Sequence, residues 1–166
     1  MDAYLRAARE AIDAATGSLD PAILARPIDA RWSIAEILEH LTLAFRGNAA
    51  ALEKALVSGE LRVRPASFTQ RFFARVVIDL GYFPRVKAPE MTRPSRSIAP
   101  EQSVAAIRSA LDALDATLTA VATRFGDSVP VSNHPYFAGL TVREWRKFHW
   151  RHTAHHMRQI RRIANP

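Results

Sequence analysis

The residues most able to do chemistry in this chain are its histidines. There are six, and four of them, His149, His152, His155 and His156, fall within the short run FHWRHTAHHMRQI. If that run is helical, a turn of about 100° per residue sets His152 and His156 within about 20° of Trp145 and Ile163. His149 then lies about 40° from that line and His155 about 80° from it. Arg143, Lys147, Arg151, Arg158 and Arg161 fall on the opposite face. The imidazoles of His152 and His156 therefore point inward, one turn apart. Side chains at i and i+4 can share one ion, and neutral imidazole suits several divalent transition metals. The competing reading is a pair of core histidines satisfied by hydrogen bonds, which burial would require.

Two imidazoles rarely make a tight site, so a third ligand must come from elsewhere in the chain. His40 and His134 are the candidates. Periodicity puts His40 on the shoulder of its helix, roughly 100° from the stripe of Ile34, Leu41 and Leu52. His134 precedes Pro135, where a turn role or a ring-to-backbone hydrogen bond is the plainer expectation. The residues leave the choice open.

These side chains need long helices to hold them. Tyr4, Leu5, Ala8, Ile12 and Ala15 mark a first helix over about Asp2 to Thr16, stopped near Gly17. A loop with Pro21 and Pro27 follows. Ser33-Ile34-Ala35-Glu36 is a capping box, with Trp32 placed to staple onto Ile37, and opens a second helix that runs to about Val57. Phe68 to Leu80 reads as a shorter helix closed by Gly81. Pro84, Pro89, Pro94 and Pro100 then exclude a helix or a central strand and predict an extended strap. A third long helix opens at Pro100 and Glu101 and runs to about Phe125. Thr141-Val142-Arg143-Glu144 is a second capping box, stapled by Leu140 and Trp145, and starts a fourth that reaches about Ile163. With no β-alternating runs, the expected fold is an all-α four-helix bundle forming a single domain over residues 1–166.

Composition narrows the chemistry further. The chain has no cysteine, which excludes disulfides, thiolate metal sites and a sulfur nucleophile of its own. Any thiol must arrive as substrate. The formal net charge is +7, and the stretch from Leu61 to Ser97 holds eight basic residues against Asp79 and Glu90. No recognition-helix, zinc-finger or RNA-platform pattern accompanies that charge, so a solvated or anion-facing surface is expected in preference to nucleic acid. The first residues are charged and amphipathic, unlike a signal peptide, and no run approaches a membrane span. A cytoplasmic location is expected.

WSIAEILEHLTL, the bundle-length helices and NHPYFAGLTVREWRKFHWRHTAHHMRQIRRI together resemble the DinB/YfiT-like superfamily, near a branch of unknown function. The features that carry the likeness are Trp32, Ser33, Glu39-His40-Leu41, the His134-Pro135 turn with Gly139 and Leu140, and the series His152, His155, His156 and Gln159. GYFPRVKAPEMTRP is similar to the family's crossover. The resemblance implies an up-down-down-up bundle with a long crossover between its second and third helices. It also implies a divalent metal ion, with zinc, nickel, iron or manganese as candidates, bound by His40, His152 and His156. In characterised relatives the implied activity is metal-assisted transfer of a low-molecular-weight thiol, and hydrolysis is the other chemistry open to such a site. His149 and His155 are the candidate catalytic residues, for proton transfer or for orienting the ligands. Arg71, Arg75 and Arg85 are candidates for gripping a substrate carboxylate, and a homodimer is plausible for the family. The alternative is a non-catalytic bundle holding an apolar or anionic ligand beside a vestigial metal site.

Overall fold

Capping side chains define where the helices begin. The computed structural model describes residues 1–26, 31–84 and 87–165. Asp2 caps α1 (Ala3–Thr16) by accepting from the Tyr4 amide. In α3 (Ile34–Ser58) the Ser33 hydroxyl accepts from the Glu36 amide while the Glu36 carboxylate accepts from the Ser33 N–H, satisfying two donors that the first helical turn would otherwise strand. The same reciprocal pair, Thr141 with Glu144, opens α6 (Val142–Ala164). A third, Ser67 with Gln70, opens α4 (Phe68–Ile78). Gly59 ends α3 with φ 73°, a conformation that favours glycine.

Two short elements depart from the sequence expectation. Residues Pro21–Ala25 form a helix, α2, where a loop is predicted, because Asp20 caps it and Pro21 stands at its first position. Pro27 of that loop lies outside the described residues. The expected start at Pro100 is a 3-10 turn, Pro100–Gln102, from which α5 (Ser103–Phe125) continues.

The long helices share one apolar core. α3 packs chiefly on α5 and α1 on α6, with Leu5, Ile12, Leu38, Phe45, Leu111 and Ile160 fully buried. Burying each such side chain stabilises the fold by about 2 kcal/mol. The chain is mostly helical, in keeping with an all-α class. No described helix is long and apolar enough to cross a membrane.

The expectation of no strands needs correction. β1 (Pro130–His134) and β2 (Ala138–Thr141) form an antiparallel hairpin, pairing Ser132 with Leu140, Asn133 with Gly139 and His134 with Ala138. These strands are too short to show an alternating pattern, and tertiary contacts hold them. The Asn133 side chain accepts from the Arg64 amide and donates to the Arg62 carbonyl. Gly139 lets this segment come close, since a Cβ there would stand 2.2 Å from Val63 Cγ1.

The strap is pinned by a buried carboxylate. Glu39, 1% exposed, accepts from the amides of Ser95, Arg96 and Ser97 and from both serine hydroxyls. Arg96 takes φ 60° to make this concave cradle, and its Nε donates to Glu36 at 3.0 Å. Burial raises the Glu39 pKa, but the bonds from Ser97, Ser95 and Arg96 outweigh it and leave the carboxyl below its ordinary value. A 3-10 turn, Glu90–Thr92, is thereby laid against α3.

Candidate metal centre

Three imidazoles from two helices meet under the strap. In α6, His152 and His156 sit one turn apart, their Nε2 atoms separated by 3.1 Å. From α3, His40 brings its Nε2 to 3.3 Å from that of His152. The ligand atoms of all three lie within 4.8 Å of one another. His40 is 4% exposed, because the strap covers the shoulder on which periodicity places it. His134, the other candidate for a third ligand, is elsewhere. Its Nδ1 accepts from the Tyr136 amide, its ring stacks on Phe137 at 4.2 Å, and it serves the hairpin turn.

The surrounding hydrogen bonds decide which nitrogens carry protons. A carbonyl can only accept, so His40 Nδ1–H donates to Thr92 O at 2.7 Å and its Nε2 keeps a lone pair. His156 Nδ1–H donates to Gln159 Oε1 at 2.8 Å, with the same result. Two lone pairs thus face His152 Nε2, which carries at most one proton in the neutral ring. A shared cation satisfies all three nitrogens, and a proton satisfies only part of the set. The donor set therefore fits a divalent ion.

Electrostatics point the same way. Burial pushes His156 down to about 3. It also holds His152 well below the usual imidazole value, with further lowering from His156 and His40. His40 is lowered by burial, partly offset by its bond to Thr92. All three rings are neutral at neutral pH, the form in which imidazole binds a metal.

A cavity of about 860 Å³ opens from these rings and runs between α3 and α6 beneath the strap and hairpin. Its walls are mostly apolar, with Phe73, Val77, Phe83 and Phe148 prominent. Phe83 stacks on His152 at 5.7 Å and Trp32 lies 5.1 Å from His40, so aromatic rings shield the histidines from water.

The two catalytic candidates occupy different places. His149 lines the cavity and is 1% exposed. Its Nε2–H donates to Asn48 Oδ1 at 3.1 Å, Asn48 donates to Ser132 Oγ, and its Nδ1 is buried with no partner. Burial, with a smaller contribution from His134, pushes its pKa down to about 3. His155 is half-buried and stands behind the centre, its Nε2 accepting from the Gln159 amide.

Two of the arginines expected to bind a carboxylate, Arg71 and Arg75, do not line the cavity. Arg71 pairs with Glu144 at 2.8 Å, and Arg75 lies with Phe68 and Phe72 on the outer face of α4. Arg85 lies outside the described residues. Among the described residues, Arg64 and Lys87 are the arginine and lysine on the wall.

Sequence reasoning missed three residues that shape the site. Thr92 acts through its backbone carbonyl and carries no sequence signal. Glu39 looks like a surface helix residue until the strap closes over it. Asn48 could have been found, because an amide on the Leu41, Phe45 and Leu52 stripe of an otherwise apolar helix face demands a polar partner.

The family model of the DinB superfamily matches residues 4–160, and the chain belongs to that superfamily. No curated protein and no solved structure matches it.

Proposed function

We propose that this member of the DinB superfamily is a metal-dependent protein in which His40, His152 and His156 hold one divalent ion beside a small-molecule cavity, in the service of thiol transfer or hydrolysis. Zinc, nickel, iron and manganese are the candidate ions, since imidazole-rich sites accept several and availability decides. The up-down-down-up order of the long helices, with the strap as its crossover, belongs to the same reading. One observation carries it: the Nε2 atoms of three neutral histidines, two buried and one partly buried, converge, with two of the rings turned to that position by acceptors on Nδ1.

When bound, an ion with open positions polarises a substrate oxygen or lowers the pKa of a water or small thiol toward neutrality. The rest falls to the chain's own residues. Thr92 and Gln159 fix the ring orientations of His40 and His156. Phe83 and Trp32 keep bulk water from the rings. His149 stays neutral, with its Nε2–H held on Asn48 and its Nδ1 buried, and acts as a positioning residue in the cavity wall. His155 acts through Gln159 as a positioning residue.

The mostly apolar wall favours one second reading, a ligand-binding module whose histidine cluster is idle. Elemental analysis separates the two. The purified protein should carry a near-stoichiometric divalent ion that the double change His152→Ala with His156→Ala abolishes. Thermal stabilisation by apolar acids and by no metal would favour the module instead.

A further inference from the structure

The cavity is an elongated slot with chemically different ends, and we infer that its ligand is a long, mainly apolar molecule carrying one polar group for the histidine end and an anionic group for the far end at Arg64. This inference rests on the proposed metal centre for the identity of the first end only. The floor is α3, where Ala44, Gly47 and Ala51 follow His40 along the cavity. At about 1.5 Å of rise per residue, the distance from His40 to Ala51 is roughly 16 Å. A Cβ on Gly47 would meet nothing within 4 Å, so the middle of the floor is open space that larger side chains could have filled.

Hydrogen bonds locate the far end. Asn48, two turns beyond His40, donates to Ser132 Oγ, and the adjacent Asn133 accepts from the Arg64 amide. Asn133 and Arg64 both line the slot. No carboxylate among the described residues pairs with the Arg64 guanidinium. Among the described residues the lysine on the wall, Lys87, belongs to the strap, where its carbonyl accepts from the Tyr136 hydroxyl. Arg64 is an exposed residue of this wall, and a guanidinium at the mouth of an apolar channel recognises a carboxylate, sulfonate or phosphate ester at the end of a hydrocarbon body. A compact hydrophilic thiol derivative would leave the walls of Phe73, Val77 and Phe148 unfilled.

Calorimetric titration of the zinc-loaded full chain with decanedioate and with decanoate tests this. Decanedioate engages both ends and should bind about 10-fold or more tightly than decanoate, whose single carboxylate goes to the metal. Arg64→Gln should remove that difference, and Gly47→Leu, which fills the floor, should weaken both acids about 10-fold while zinc content stays unchanged. Equal binding of the two acids by the unaltered protein, or full binding by Gly47→Leu, overturns the inference. If the protein takes up no zinc, the metal reading alone has failed. Decanoate must then still bind, and both Arg64→Gln and Gly47→Leu must weaken it.

Discussion

His40 and His152 are 112 positions apart in the chain, yet their Nε2 atoms stand 3.3 Å from each other. Nothing apolar drives two imidazole nitrogens together, and each is a polar atom that burial penalises. Their approach is imposed by the packing of α3 and α6 around the shared core and by the strap that closes over His40. An arrangement that uses core packing to force neutral nitrogen lone pairs toward one point is what a metal site requires.

The strap should control the metal through Glu39. Replacing Glu39 by Gln removes a buried carboxylate that accepts five hydrogen bonds, and should lower stability by about 2–3 kcal/mol in urea unfolding. Because the strap carries the Thr92 carbonyl that orients His40, zinc affinity should fall about 10-fold in a competitive chelator titration. A stability loss with unchanged zinc affinity would show that His40 needs no such support.

Acid should unfold the metal-free protein from an unusually high pH. Burial holds His134, His149 and His156 at about 3 in the folded chain, against about 6.5 when unfolded. Between those values the unfolded chain binds more protons, so the stability these rings contribute is fully present above about pH 6.5 and is lost as the pH falls toward 3. Each contributes a slope of up to about 1.4 kcal/mol per pH unit in that window. Urea midpoints at pH 7 and pH 5 check this. The midpoint at pH 5 should be clearly lower, and equal midpoints would contradict the burial of neutral rings.

Much of the architecture is legible in the residues. Ser33 with Glu36 and Thr141 with Glu144 mark their helix starts because the cap is local chemistry, complete within four residues. His152 and His156 can be paired on one face because a helix repeats regularly. The inward placement of His40 could not be read the same way. Its helix position puts it on a shoulder, and only the strap, fastened by Glu39 to Ser95, Arg96 and Ser97, turns that shoulder into interior. The hairpin escaped for a related reason. Its strands are held by Asn133 and by the contact of Gly139 with Val63, contacts to residues far away in the chain. The resemblance to a known superfamily supplied the third histidine where periodicity stopped, and the family match over residues 4–160 agrees with that resemblance.

Gly47 offers a stabilisation test. A glycine inside a helix is less stable than alanine by about 0.5–1 kcal/mol, and nothing stands within 4 Å of a Cβ at this position. Gly47→Ala should therefore raise the stability of the ligand-free protein by about that amount in urea or thermal unfolding. A destabilised variant would mean that the open floor of the cavity is closed in solution.

The convergence of three histidines on one ion is tested most directly by removing the member contributed from α3. Metal content should be measured by elemental analysis on the unaltered protein and on His40→Ala, after equal loading with zinc and exhaustive dialysis. Close to one ion per chain is expected in the first and a large loss in the second, with the helical content of both alike. Equal zinc in the two proteins would contradict this, for the ion would then be held without the ring that α3 and the strap bring to the centre.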